Sequence, residues 1–190
     1  MKHWIIVLLL IVQCPGLDAQ SPAAGSEVVS LLKLDLGLQG IGFNYESALS
    51  NSFTAELATG ISGGYEIDKQ TLTYRFDFFK PAFYFSFTPK YFYNRRDRPT
   101  LERKTELNSG NYIGMRVRYL TPEAGGGTTV NCLLTNLHWG MQRAIGRSWT
   151  MNLHAGVGYA ASIGTTFNHG TFYPALDLRF AYIFLKSQPG

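Results

Sequence analysis

The stretch SWTMNLHAGVGYA, Ser148 to Ala160, places Trp149, Met151, Leu153, Ala155, Val157 and Tyr159 at alternate positions, with Thr150, Asn152, His154, Gly156 and Gly158 between them. Successive side chains of a β-strand point to opposite faces, so this spacing predicts a strand with one apolar face and one polar or small face. On a helix the two sets would mix, because neighbours there lie three and four positions apart.

The same alternation recurs on either side. Upstream, Phe53, Ala55, Leu57, Thr59 and Ile61 oppose Thr54, Glu56, Ala58, Gly60 and Ser62, and Phe83, Phe85, Phe87, Pro89, Tyr91 and Tyr93 oppose Tyr84, Ser86, Thr88 and Lys90. Ile113, Met115, Val117 and Tyr119 oppose Gly114, Arg116 and Arg118; Leu133, Leu137, Trp139 and Met141 oppose Asn136, His138, Gly140 and Gln142. Downstream, Leu176, Leu178, Phe180, Tyr182 and Phe184 oppose Asp177, Arg179, Ala181 and Ile183. Adding Ile41, Phe43 and Tyr45 against Gly42, Asn44 and Glu46, and a strand from Val28 to Leu36, brings the count to eight. The pattern predicts an all-β protein, an eight-stranded antiparallel up-and-down barrel with strands over about 28–184 of a domain at 20–190.

Alternation alone leaves open which face is buried. A soluble sandwich or lipocalin buries the apolar face and studs the other with Lys and Glu. Here the second face is Gly, Ala, Ser, Thr and Asn, and only 16% of the chain is charged, against roughly 25% in an average soluble domain. The charges that do fall on it, Glu56, Lys90, Arg116, Arg118, Asp177 and Arg179, carry both signs and suit mutual neutralisation in a narrow lumen. Rings and branched aliphatics on the other face suit lipid, so a transmembrane barrel is expected.

Ring placement points the same way. Tyr45 and Phe53 flank the connection Ser47 to Ser52, Tyr91 and Tyr93 precede the one from Asn94 to Ser109, and Trp139 and Trp149 straddle Arg143 to Arg147. Rings at one level are what a membrane interface selects. Tyr74, Tyr119, Tyr159 and Tyr173, near the opposite strand ends, make an expected second girdle. The three connections share a side with both termini, and short turns of such barrels face the periplasm. The outer side then carries the turn Gly37 to Gly40, the stretch Tyr65 to Phe79, Thr121 to Thr128 and Gly164 to Thr171. Alternating Leu72, Tyr74, Phe76 and Phe78 are expected to prolong a strand beyond the bilayer as a protruding edge. The run Arg95-Arg96-Asp97-Arg98, with Arg103 and Lys104, reads either as a basic segment against anionic lipid heads or as a solvated turn that limits slippage.

At the N-terminus, Lys2, the apolar run Trp4 to Val12, Pro15-Gly16 and the small Ala19 fit a secretory signal peptide over 1–19. The run falls short of the ~20 residues of a spanning helix. Acylation at Cys14 would want a small residue where Gln13 stands. Cleavage after Ala19 leaves Cys132 as the one cysteine, which excludes an intramolecular disulfide. The formal charge of +4 is mild, and without zinc-finger spacing or an aromatic-basic RNA motif a nucleic-acid partner is excluded. No phosphate loop, nucleophile elbow or helical His-Glu motif occurs, so no catalytic residue, cofactor or metal ligand is assigned.

On these alternating strands, and most specifically on the end Leu176 to Phe184, the chain resembles the small eight-stranded outer-membrane barrels typified by OmpX and the OmpA membrane domain. The resemblance covers about Val28 to Phe184. It implies residence in the bacterial outer membrane, contact with its lipids, and recognition of Leu176 to Phe184 by the assembly machinery. That signal normally ends on its terminal aromatic, whereas Leu185 to Gly190 follow here. The implied role is non-enzymatic, structural or interactive at the envelope; ligand capture by the outer loops is a second class and lipid modification a third. Lipid-modifying enzymes on this barrel use a His with a Ser or acidic partner, but this chain has His154-Ala155-Gly156 where a His-x-Ser is wanted.

The histidines placed on strands are His138 and His154. A hairpin centred near Ile145 sets His138 opposite Asn152 and His154 opposite Asn136, all inward, so an Asn-His network in the lumen is expected.

Overall fold

The computed structural model describes residues 28–67, 72–75, 77, 79–95, 105–125, 129–164 and 170–187. The expected leader, Phe76, Phe78, Arg96, Asp97, Arg98, Arg103 and Lys104 lie outside these residues. The described strands are β1 (Ser30–Gly37), β2 (Gly40–Ser50), β3 (Phe53–Ser62), β4 (Gly64–Ile67), β5 (Leu72–Arg75), β6 (Ala82–Phe92), β7 (Gly110–Leu120), β8 (Asn131–Ile145), β9 (Trp149–Ile163) and β10 (Gly170–Ser187); a 3-10 turn at Glu106–Asn108 precedes β7.

Eight of these strands close a barrel in the order β1-β2-β3-β6-β7-β8-β9-β10, and β4 and β5 form a separate hairpin. Every barrel pairing is antiparallel. Closure runs from Ser30 opposite Ser187 to Gly37 opposite Arg179, with a bulge at Leu32/Lys33. This is the up-and-down barrel that the alternation predicts. β10 begins at Gly170, upstream of the expected Leu176, because Pro174 reads as a strand breaker but sits in the ladder opposite Val157.

Side-chain parity becomes inside and outside. Outward residues are apolar, and the ring set Tyr45, Phe53, Tyr91, Tyr93, Trp139 and Trp149 is exposed at the end where β1 begins and β10 finishes, here the proximal end. Trp139 Nε1 donates to Tyr93 Oη at 2.8 Å, and the Trp149 and Tyr182 rings meet edge-on at 5.3 Å. At the distal end Tyr119 and Tyr159 are exposed. Tyr173 departs from the expected second girdle. It shares the parity of Asp177, turns inward and accepts a hydrogen bond from Asn136 Nδ2 at 3.2 Å.

Both mouths are covered by chain from the connections. At the distal mouth the β4–β5 hairpin folds back over the opening. Tyr65 is buried against Tyr84, Leu134 and Ala160, with Ile67 and Leu72 beside it, and the Val130 N–H donates to the Tyr65 carbonyl at 3.2 Å. Burial raises the pKa of the Tyr65 hydroxyl and keeps it protonated. Of the expected protruding edge, Leu72 instead packs on the lumen-facing cluster, where burial gains more than extension into water, whereas Tyr74 is exposed and Phe76 and Phe78 lie outside the described residues.

At the proximal mouth Leu107 packs with Val29, Leu31 and Ile183. The Asn108 side chain both accepts from the Val29 N–H (2.9 Å) and donates to the Val29 carbonyl (2.8 Å), as a strand partner would. Leu107 and Asn108 hold φ of 51° and 56°, a costly backbone that these bonds keep in place.

In-strand glycines make room for rings inside. A Cβ on Gly140 would lie 2.4 Å from Tyr112 Cζ, and one on Gly158 the same distance from Tyr173 Cζ. Gly140→Val should therefore expel the Tyr112 ring and cost about 1–3 kcal/mol in detergent, read from the unfolding midpoint. The native chain should migrate differently on a gel before and after boiling, since a closed ladder offers no edge from which to unravel. Recovery as a soluble monomer without detergent would return the soluble lipocalin reading.

Candidate functional site

The barrel interior concentrates the polar chemistry of the chain. The first cluster forms in the proximal half. Lys33 Nζ lies 2.7 Å from Glu46 Oε2 and 3.5 Å from Glu56 Oε2, while Lys90 Nζ bonds Glu56 and stands 4.0 Å from Glu46 Oε1. Gln142 Nε2 and Thr54 Oγ1 donate to Glu46 at 3.2 Å each. Four opposite charges with neutral donors around them form a network in which neither carboxylate is left alone.

Arg179 joins this cluster to a second one nearer the distal end. Its Nη1 donates to Glu56 Oε1 and Asp35 Oδ2, both at 2.9 Å, and its Nε lies 3.3 Å from Asp177 Oδ2. Arg116 Nη1 donates to the same Asp177 oxygen at 3.1 Å, and Asn44 Nδ2 to Asp35 at 2.6 Å. The six charged residues read from parity are thus all in the lumen, as is Glu46, which alternation set on the polar face, and the structure adds Lys33 and Asp35. Lys33 and Asp35 alternate with Leu32, Leu34 and Leu36 along β1, so the same parity would have found them.

The histidine register differs from expectation. His138 stands opposite Gly156, and His154 opposite Gly140; Asn152 faces Gln142 and Asn136 faces Gly158. The hairpin turns at Gly146, whose φ of +65° suits glycine, and the last pair is Ile145 with Trp149. Each strand-to-strand partner is therefore shifted from a turn centred on Ile145. The histidines remain diagonal neighbours, and their rings stack with centroids 4.1 Å apart. Asn136 Oδ1 meets His138 Nδ1 at 2.7 Å along the same strand, while Asn152 accepts from Tyr112 Oη at 2.8 Å. His154 has no hydrogen-bond partner. Among the described residues no three His, Cys, Asp or Glu side chains group as metal ligands. Both imidazoles are buried inside the wall, away from the outer surface where a lipid would be met.

The basic turn also resolves in part. Arg95 is 1% exposed and its Nη1 donates to the carbonyls of Thr105 (3.1 Å) and Ser109 (3.3 Å). It holds the connection against the proximal mouth, so Arg95 itself meets neither lipid heads nor solvent, while Arg96, Asp97, Arg98, Arg103 and Lys104 lie outside the described residues.

Removing one acceptor from the interior leaves its cations one carboxylate short. Glu56→Gln deprives Lys33, Lys90 and Arg179 together and should destabilise the barrel by about 3–5 kcal/mol. Replacing both histidines with Gln should cost far less, since they carry one mutual stack and one side-chain bond. Urea unfolding in detergent, followed by gel mobility, measures both.

No protein-family model matches the chain, and no curated protein matches it in sequence. Among solved structures it is similar to the outer membrane protein AlkL, determined by solid-state NMR in DMPC lipid bilayers, at 11% identity over 92% of this chain and 96% of that one, with a TM-score of 0.36.

Proposed function

We propose that the chain is an integral outer-membrane β-barrel with a non-enzymatic structural or interaction role at the bacterial envelope. One observation carries the reading. Leu36, Phe43, Leu57, Phe85, Met115, Leu137, Val157 and Leu176, one from each barrel strand, are 44–69% exposed. They form an apolar belt around the full circumference. A soluble monomer rarely leaves contiguous apolar patches beyond a few hundred Å² in water, whereas hydrocarbon buries such a belt at no cost. Rings at both rims suit the two lipid boundaries.

The interior argues for a closed barrel. Eight strands enclose a space that side chains just fill, and here it holds paired charges with Tyr112, His138 and Gln142. The lipids of the membrane are the first partner of such a molecule. The assembly machinery is a second, through the outward alternation Leu176 to Phe184 on β10, even though β10 continues to Ser187.

Expressed with its leader, the protein should be found in the outer-membrane fraction and show no stable conductance in planar bilayers, because the lumen is filled. Large reproducible current steps would overturn the closed interior. Lipid A from a deletion strain should keep its acylation pattern; an altered pattern would favour an enzyme.

A further inference from the structure

Arg118 is the buried charge for which the lumen holds no counterpart. Its Nη1 and Nη2 donate to Gln39 Oε1 (2.6 Å) and the Gln39 carbonyl (2.9 Å), and its guanidinium lies 4.0 Å from the Tyr84 ring centroid. Among the described residues every other lumen cation is ion-paired, but Arg118 has no carboxylate within ion-pair reach. Near the distal end Glu66 pairs with Arg75 at 3.6 Å, and Glu123, beyond the barrel strands, pairs with no cation among the described residues. On the eight barrel strands the lumen-facing cations are Lys33, Lys90, Arg116, Arg118 and Arg179 and the anions are Asp35, Glu46, Glu56 and Asp177, while Arg95 at the proximal mouth lies outside these strands. Five against four leaves one positive charge in excess, and an uncompensated charge removed from water is strongly unfavourable.

A second observation gives the place where compensation fits. Arg118 Nε, Arg116 Nη2 and Arg179 Nη2 are buried and have no hydrogen-bond partner. The three arginines line one cavity of about 20 Å³ beside the β1–β2 turn, room for a single water-sized occupant. Asp35 and Asp177, the latter with Oδ1 unpartnered, line the same cavity and repel an anion, which confines a negative occupant to the arginine side.

We infer that this cavity is a site for one monovalent anion of halide size, held by the free N–H groups of Arg116, Arg118 and Arg179. A water molecule would occupy the space but leave the excess charge in place. Sulfate overcompensates an excess of one. The site belongs to the barrel interior and stands or falls independently of the envelope role proposed above.

The full chain in detergent is titrated with sodium chloride against sodium gluconate at constant ionic strength. The chloride NMR line should broaden saturably, and the unfolding midpoint should be several degrees higher in chloride or bromide than in gluconate, with sulfate behaving like gluconate. Gln39→Glu places a carboxylate on the atoms Arg118 already contacts, from an accessible turn, and supplies the missing charge internally. In that variant the broadening and the midpoint difference should both disappear. Arg118→Gln, which removes the excess charge itself, should abolish the same difference. Equal midpoints in chloride and gluconate for the native chain, as a dry or water-filled cavity would give, overturn the site. Undiminished broadening in Gln39→Glu overturns its placement at Arg118.

Discussion

A strand at the edge of a sheet leaves a row of backbone N–H and C=O groups unpaired, and hydrocarbon offers them no substitute partner. Pairing β1 with β10 from Ser30 to Gly37 removes the last edge. Once that ring is closed, each strand has one inward and one outward face, and every side chain must suit the surroundings its parity assigns. Apolar residues take the outer wall. The interior is too narrow for a separate apolar core and becomes a column of small, polar and charged groups.

That column reverses the usual stability argument. In a soluble domain apolar burial favours folding, whereas here most apolar surface lies outside and many of the buried residues are polar. Such a lumen is tolerable only if its charges meet opposite charges and neutral donors, which Lys33, Glu46, Lys90, Glu56, Arg179 and Asp35 do through shared oxygens. Sharing makes the network register-specific: a strand slipped by one residue would turn its charges outward. The apolar clusters that do exist inside sit at the two mouths, around Tyr65 distally and Leu107 proximally. They keep water from the ion pairs, which strengthens each pair.

The parity of the strands was legible in the sequence because one-sided burial writes itself every second residue. Parity placed Glu56, Lys90, Arg116, Arg118, Asp177 and Arg179 in the lumen and the rings at the rims. Where it was not applied, as along β1, Lys33 and Asp35 were missed. What the sequence hid depends on backbone conformations that leave no periodic trace. Gly146 shifted the β8–β9 register by its left-handed φ, and Leu107 and Asn108 adopt the same region without being glycine. The hairpin at Tyr65 and Leu72 and the inward hold of Arg95 arise from long-range contacts. No local pattern separates a loop that folds inward from one that projects.

The stacked histidines show how far residue type alone can mislead. Two imidazoles 4.1 Å apart suggest metal or acid-base chemistry. Their surroundings withhold what each would need: a third ligand for a metal is not nearby among the described residues, and a lipid would be met only on the outer face of the wall. Gly156 and Gly140 opposite them provide only space. An inward His pair beside Asn136 and Tyr112 is therefore better understood as packing that tolerates polarity. In a lumen of this width a group becomes functional only where a free valence and an empty volume coincide, and that coincidence is met at the arginines rather than at the histidines.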